Sequence, residues 1–215
     1  MERTDIHKTV TELFDGRYNY IIPLYQRNFA WGDQEITQLL QDLYENFISN
    51  TPYFVGSIIY IKRKSNDKLE VIDGQQRLTI LTLLLNVLGK DLLPQLFSSR
   101  LEYDSREDVS RFLKQLYSSS VSNDQAKEDS AVIKTFIAAY RTLECSPLSV
   151  DDESITINNL KKSNQRTLND FAIYISTNVF FVLAEMPQDT DVASYFEIMN
   201  NSGDQLRKHE IVKSL

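Results

Sequence analysis

The sequence predicts an α+β fold in which a large helical segment interrupts a set of strands. Strand-like runs lie near both ends of the chain, at residues 18–23, 53–62, 68–72 and 179–186. One apolar strand end runs through Asp73-Gly74 directly into a leucine-rich helix. Between residues 91 and 178 the pattern is mostly helical. Strands and helices that segregate along a chain in this way are typical of the α+β class.

The first elements are a short helix, a strand and a longer helix. Residues 9–14 have the spacing of an amphipathic helix, and residues 18–23 alternate aromatic and branched side chains as a strand does. Asp33 can cap the next helix. Its apolar residues recur at helical spacing: Ile36, Leu39, Leu40, Leu43 and Phe47.

A hairpin and a buried helix follow. Residues 53–62 are rich in Val, Ile and Tyr, and turn at residues 64–67 into a second strand, residues 68–72. Alternation along that strand puts Asp73 at its end, on the same side as Leu69 and Val71. Leucines at helical spacing then predict a largely buried helix: Leu78, Leu81, Leu84, Leu85 and Leu88.

The remaining elements define three predicted regions. Pro94 and Pro147 predict breaks between helices of the middle segment. Residues 179–186 have the composition of a buried strand, and a last helix begins at Thr190 or Asp191. We therefore predict a core of residues 1–90, a helical insertion of residues 91–178, and residues 179–215 completing the core. Because another helix begins just before Leu215, we expect a fragment that precedes a C-terminal effector domain.

Composition limits the class of protein. With 42% hydrophobic residues, the 215-residue chain has enough apolar surface for a core. A single cysteine, Cys145, excludes an internal disulfide and a cysteine-based zinc site within one chain. The N-terminus lacks a signal pattern, and the apolar-rich residues 171–184 are too few for a membrane span. We expect a cytoplasmic protein with no membrane partner.

The net charge of −7 argues against a protein that coats nucleic acid through bulk electrostatics. Two local basic groups exist, at residues 62–64 and at Lys161-Lys162 with Arg166. Such groups are more often solvated surfaces than DNA footprints. Charge alone therefore does not predict DNA binding.

The turn Asp73-Gly74-Gln75-Gln76-Arg77 has the layout of a phosphate-binding site. Gly74 lets the backbone approach a ligand, and the first turn of a helix leaves amide N–H groups unpaired at the positive end of the helix dipole. Arg77 would supply a planar fork for phosphate. The alternative is an ordinary strand-to-helix turn with solvated polar residues, because short motifs also match by accident.

Each polar residue of the turn has a candidate role. Asp73 can bind a magnesium ion or cap the helix. Gln75 and Gln76 cannot act as bases at neutral pH, but they can orient water or read a base edge. We predict Asp73, Gln75 and Gln76 as the catalytic residues, with Gly74 and Arg77 binding the ligand.

Other candidate residues lie outside the turn. Gly56-Ser57, in an otherwise bulky strand, implies close approach by a ligand or by another backbone. Asn200 could hydrogen-bond a ligand or brace the turn that follows its helix. The two histidines, His7 and His209, are too far apart in sequence to suggest a local site.

Four ordered blocks of the sequence together resemble a known family. They are residues 22–31, 54–59, 71–80 and 195–206, the last followed by Glu210 and Lys213. In this order and spacing they resemble the family filed as domain of unknown function 262, the N-terminal part of GmrSD-type modification-dependent restriction enzymes. The resemblance covers nearly the whole chain.

The resemblance implies a ParB/sulfiredoxin-like fold, a small mixed sheet whose strand–turn–helix unit binds nucleotide phosphates. It also implies that Gln26 and Arg27 face the turn and close the same pocket; their alternative is surface pairing with Asp33 or Glu35. In related proteins this domain is linked to nucleotide binding and hydrolysis, while a separate C-terminal HNH domain cuts DNA. This chain has no HNH pattern and no P-loop.

Three functions are therefore compatible with the sequence. The first is an NTP-binding and NTP-hydrolysing sensor of an antiphage restriction system, with magnesium as a cofactor and modified DNA as a partner. The second is a non-enzymatic module that binds DNA or protein and uses the Asp73-Gly74 turn structurally. The third is a ParB-like nucleotide-gated clamp. The sequence leaves the nucleotide base and the oligomeric state open, and a homo-oligomer is compatible with it.

Overall fold

The computed structural model describes residues 6–63, 66–89, 92–93, 96, 100–104, 106–116, 130–150, 153–187, 189–192 and 195. The chain divides into two units, Met1–Glu185 and Met186–Leu215. The first unit contains the sheet, the helices and all but one of the predicted site residues.

A mixed six-stranded sheet forms the centre of the first unit. Its strands are β1 (His7–Thr9), β2 (Tyr20–Ile22), β3 (Tyr53–Lys62), β4 (Leu69–Asp73), β5 (Leu101–Tyr103) and β8 (Val179–Glu185), in the spatial order β1-β8-β3-β4-β2-β5. The pairs β1–β8 and β3–β4 are antiparallel, and the other three are parallel. A separate hairpin joins β6 (Leu148–Val150) to β7 (Glu153–Ile155). The α+β prediction is confirmed; the ParB-like assignment stays a prediction.

The helices are α1 (Val10–Phe14), α2 (Asp33–Ile48), α3 (Gln75–Leu88), α4 (Glu107–Leu116), α5 (Ala131–Cys145), α6 (Ile157–Ser163) and α7 (Gln165–Asn178). Thr9 caps α1 through a capping box with Glu12, because each side chain accepts the backbone N–H of the other residue. The predicted cap of α2 is wrong. Gly32 is the N-cap and Asp33 the first helical residue, and the Gly32 N–H donates to Glu35 Oε2 at 3.0 Å.

The middle segment is less purely helical than predicted, because it also supplies β5 to the central sheet. Tyr20 N–H donates to the Arg100 carbonyl at 2.7 Å, and Asp104 N–H donates to the Ile22 carbonyl at 2.8 Å. β5 is therefore hydrogen-bonded to β2 at both of its ends. Three residues are too few to show a strand period, which is why the pattern missed β5 and the β6–β7 hairpin.

The core lies between the sheet and the central helices. Helix α5 packs against α2, α3 and α4, and its Phe136 ring contacts the rings of Phe29, Tyr103 and Phe112. Phe29 is buried and Trp31 is partly buried against the same core, so both attach the loop of residues 23–31 to it. Every residue of α3 is buried except Arg77.

After the sheet, only the beginning of the predicted last helix is described. Val192 and Tyr195 are helical, and the Tyr195 N–H donates to the Asp191 carbonyl at 3.0 Å. Asn200 and His209 lie outside the described residues. Within the described ranges, no helix combines the length and apolar content that a membrane span requires.

Candidate functional site

The junction between β4 and α3 requires glycine at position 74. Gly74 is the N-cap of α3 and has φ of +91°, in the left-handed region. A Cβ atom there would lie 2.7 Å from the Ser57 carbonyl oxygen and 3.1 Å from Ile58 Cα. Of the close approach predicted for Gly56-Ser57, the Ser57 backbone is approached by the backbone of Gly74, whereas Gly56 is approached by the Arg77 side chain. The first intrahelical bond runs from Leu78 N–H to the Gly74 carbonyl, so the three preceding amides have no partner within the helix.

Arg77 lies beside this junction and over β3. Its Nη1 is 3.4 Å from the Ser57 carbonyl and 3.9 Å from Asp73 Oδ2, and 29% of its side chain is exposed. Gly56 makes room for the guanidinium group, because a Cβ at position 56 would lie 2.9 Å from Arg77 Nε. The predicted residues Gly56, Ser57, Asp73 and Arg77 are thus brought together.

Arg63 shows what a structural arginine of this sheet looks like. Its Nε donates to Glu70 at 2.6 Å and its Nη2 to Asp104 at 2.7 Å, so two carboxylates hold it. These bonds, with that to Asp104 first, raise the pKa of Arg63. Arg77 has no comparable bond: among the described residues, its nearest carboxylate is at 3.9 Å. Arg77 therefore keeps donors that an anion can use.

Asp73 ends β4 with a carboxylate that is 44% exposed. Because Gly74 occupies the N-cap position, the alternative role of Asp73 as the helix cap is wrong. In the described part of the chain, no three His, Cys, Asp or Glu side chains cluster tightly enough to hold a metal ion. A single carboxylate fits a magnesium ion that nucleotide phosphates also hold.

Gln76 ties the loop of residues 23–31 to the start of α3. Its Nε2 donates to the Asn28 carbonyl at 3.1 Å, and its Oε1 accepts the Ala30 N–H at 2.8 Å. The side chain is 8% exposed. Both amide atoms are bonded to the backbone, which favours a positioning role over contact with substrate.

Gln75 is bonded on one side only. Its Nε2 donates to the Arg27 carbonyl at 2.9 Å, whereas its Oε1 is buried and has no hydrogen-bond partner among the described residues. The two glutamines predicted as equivalent therefore differ in what they can still bind.

Gln26 and Arg27 lie in the same loop, opposite the turn. Gln26 Nε2 donates to the Ile72 carbonyl at 2.7 Å, so its side chain braces the end of β4. The Arg27 side chain is exposed and makes no ion pair within the described ranges, where Asp33 and Glu35 are included. Surface pairing of Gln26 or Arg27 with those carboxylates is therefore wrong.

Tyr25 fixes the outer side of the loop. Its hydroxyl donates to Glu70 Oε1 at 2.8 Å although the residue is 56% exposed. Burial of the hydroxyl and this hydrogen bond raise the pKa of Tyr25, so it remains a neutral donor at physiological pH.

Sequence reasoning missed Arg106 as a support of the loop. Its Nη2 donates to the Gln26 carbonyl at 3.0 Å, and its guanidinium group lies 5.8 Å from the centre of the Tyr103 ring. Position 106 is 80 residues from Gln26 and belongs to no motif, so only the pairing of β5 with β2 reveals the contact.

Comparison with known proteins identifies the family. The chain matches the model of the GmrSD restriction endonuclease N-terminal domain over residues 10–215. The chain belongs to this family. The expected resemblance is confirmed, and the chain is an N-terminal module of the GmrSD restriction enzyme type, consistent with a nuclease domain that is separate from it. No curated protein matches the chain.

Proposed function

We propose that this GmrSD N-terminal domain binds a nucleoside triphosphate at the start of α3 and hydrolyses it as the sensor of its restriction system. The observation that carries the proposal is the position of Arg77. Its guanidinium group is held over Gly56, Arg77 belongs to the first turn of α3, whose amides have no partner within the helix, and among the described residues no carboxylate lies closer to it than 3.9 Å. Guanidinium forks and helix N-termini are both groups that bind phosphate.

Asp73 would be the protein's contact to magnesium in this scheme. Magnesium commonly binds through one or two carboxylates together with substrate phosphates. The ion would neutralise charge on the phosphates. Asp73 lies 3.9 Å from Arg77 Nη1, so one acidic and one basic side chain flank the same turn.

The proposed sensor role requires a signal that nucleotide binding or hydrolysis would pass on. We propose that modified DNA is the signal, that this domain couples its recognition to the nucleotide, and that an HNH nuclease domain elsewhere in the system cuts. The exposed Leu24 and Arg27 of the loop, next to the proposed nucleotide site, would be the side chains offered to such a partner. A ParB-like clamp that opens and closes with nucleotide is a variant of this scheme.

The test is a calorimetric titration of the 215-residue chain with ATP, GTP, CTP and UTP, with and without magnesium. Arg77→Lys keeps the charge but loses the planar fork, and we expect it to weaken binding by about 1.5–3 kcal/mol. The matched control is Arg17→Lys, because Arg17 is exposed and pairs with Asp15 at 2.7 Å away from the turn. Binding that is unchanged in Arg77→Lys would overturn the phosphate assignment.

A non-enzymatic interaction module is the second candidate. It is favoured by Gln76, whose amide is used entirely on the loop backbone, and by the contact of Arg77 Nη1 with the Ser57 carbonyl. In that case the turn is a brace. The wild-type chain would bind none of the four nucleotides at millimolar concentration, and Arg77→Lys would lower only the free energy of unfolding.

A further inference from the structure

We propose that the exposed face of α7 is a surface on which this domain holds duplex DNA. The inference rests on the DNA partner of the proposed function, and it gives that partner a surface besides the loop of residues 23–31. The α7 face is formed by five exposed residues, Gln165, Arg166, Asn169, Asp170 and Ile173. The opposite side of α7 is buried, which fixes the residues that point outwards.

The charge around this face favours a polyanion. Residues 154–169 contain Lys161, Lys162 and Arg166 and no Asp or Glu, in a chain whose net charge is −7. Lys161 is paired with Glu144 at 3.2 Å. Lys162 and Arg166 are exposed, and neither forms an ion pair with another described residue. Two cations therefore remain available to phosphates, whose contacts with Lys and Arg supply a large share of the affinity of proteins for DNA.

The other basic group of the sequence, residues 62–64, is used differently. The guanidinium group of Arg63 is bound by Glu70 at 2.6 Å and by Asp104 at 2.7 Å. Its charge is therefore spent on two carboxylates of the same sheet. Of the two basic groups, the one beside α7 is the one whose cations are open to a partner.

The polar side chains of the α7 face are also open to a partner, unlike those of α2. Gln38 and Gln41 of α2 each donate to a carboxylate of their own helix, at 2.7 Å. On α7, the side chains of Gln165 and Asn169 have no hydrogen-bond partner among the described residues. Asn, Gln and Arg are the side chains that form paired hydrogen bonds with the edges of adenine and guanine. The α7 face therefore presents the groups that read bases.

The arrangement of α6 and α7 suits the major groove, which is wide enough to admit an α-helix. Asn164 alone joins the two helices, because it ends α6 and caps α7. In helix-turn-helix proteins the second helix lies in the groove with its N-terminal residues at the bases. The pair α6–α7 has this order with a shorter turn. Lys162 would then contact a phosphate, and Ile173, which is 50% exposed, would contact an apolar group such as a thymine methyl.

Fluorescence anisotropy of the 215-residue chain with a short unmodified DNA duplex tests the α7 face, because phosphate contacts do not depend on base sequence. Lys162→Gln should weaken binding about threefold to tenfold and lower the slope of log K against log salt by about 1. Asn169→Asp adds a carboxylate to the face and should weaken binding by about tenfold or more.

The matched controls make the same changes of charge elsewhere. They are Lys62→Gln, at the exposed end of β3, and Gln38→Glu, on the exposed face of α2. Both should bind the duplex within about twofold of the wild type, because salt screens charges that do not touch the DNA.

Wild-type affinity for the duplex in Lys162→Gln and Asn169→Asp, or equal losses in their controls, would overturn the inference. A wild-type chain that does not bind the duplex would overturn it too. A dimer of the free chain in sedimentation, lost in Asn169→Asp and without DNA binding, would make the α7 face a contact between two copies instead.

Nucleotide titrations keep this inference apart from the nucleotide site. We expect Lys162→Gln and Asn169→Asp to bind nucleotide as the wild type does, because neither residue belongs to the turn at the start of α3. Duplex binding that depends on the α7 face, in a wild-type chain that binds no nucleotide, would remove the nucleotide site and leave the DNA surface standing.

Discussion

The guanidinium group of Arg77 occupies the space that a side chain at Gly56 would fill. A Cβ atom at position 56 would come within 2.9 Å of Arg77 Nε and 3.1 Å of Cζ. Gly56 has φ of +141° and adjoins the irregularity in β3, where the register against β8 shifts between Phe54 and Gly56. The irregularity in β3 therefore lies where Arg77 packs against the strand.

Gly56→Ala is expected to displace Arg77 and weaken nucleotide binding, as well as cost about 1–3 kcal/mol of stability through backbone strain. The matched control is Gly89→Ala. Gly89 also has positive φ, of +99°, but nothing lies within 4 Å of a Cβ there. Both variants should unfold more readily, and only Gly56→Ala should lose affinity in the calorimeter. Equal nucleotide affinity in the two variants would contradict the role given to Gly56.

Gly74→Ala should be more destabilising than either. The added methyl group would meet the Ser57 carbonyl at 2.7 Å, and a backbone oxygen of β3 cannot move aside as a side chain can. Strain and overpacking together predict a loss of about 2 kcal/mol or more in the free energy of unfolding. Urea denaturation measures this loss. A loss smaller than that of Gly89→Ala would show that the junction between β4 and α3 accommodates the added methyl group.

Gln76→Met should release the loop without emptying the core. It leaves the Ala30 N–H and the Asn28 carbonyl without their partners, which predicts a loss of about 1–3 kcal/mol. Hydrogen exchange gives a local readout, because the Ala30 amide should exchange faster than in the wild type. Gln38→Met, on the exposed face of α2, is the control. Unchanged protection of the Ala30 amide in Gln76→Met would refute the attachment of the loop by Gln76.

Tyr103 makes stability depend on alkaline pH. Burial raises the pKa of Tyr103 to about 12, and its hydroxyl shares a 2.8 Å hydrogen bond with Thr79. A raised pKa contributes stability that is complete below the unfolded pKa of about 10. That contribution is lost as the pH rises from there through the folded pKa.

Tyr103→Phe should therefore lower stability by about 1 kcal/mol at neutral pH, because Thr79 loses its partner. Above pH 10 the wild type loses stability faster than Tyr103→Phe, and the two curves should converge. The other tyrosines with raised pKa are present in both proteins and cancel. Denaturation curves that stay parallel from pH 8 to pH 11 would contradict the assignment.

Local pattern was enough to predict most of the sheet and its neighbours. The β3–β4 hairpin, the buried α3 and the last strand β8 have apolar periods long enough to be read from sequence. The turn was recognised because Asp73-Gly74 interrupts such a period. The three-residue strand β5 was missed because its place is set by pairing with β2 and by burial of Leu101 and Tyr103.

Sequence named residues of the turn and loop that the structure brings together, but it did not show how they bond to one another. Gly74 and Arg77 follow from backbone chemistry at a helix start, which sequence shows. The different bonding of Gln75 and Gln76 depends on the path of residues 27–30, which sequence does not show. For the same reason, the contact of Arg106 with Gln26 could not be predicted from sequence, because it depends on the pairing of β5 with β2.

The burial of α3 makes this helix a fixed reference for motion in the domain. From Leu78 onward its hydrogen-bonded backbone amides should exchange with solvent only when the whole unit unfolds, since every one of these residues is buried. The loop of residues 23–31 is attached to that frame by side-chain hydrogen bonds and by the buried Phe29, so we expect it to open at a lower free energy than the unfolding of the whole unit. Slow amide exchange in α3 and faster exchange in the loop therefore adjoin at Gln75 and Gln76. A ligand that holds the loop against α3 would slow hydrogen exchange there first.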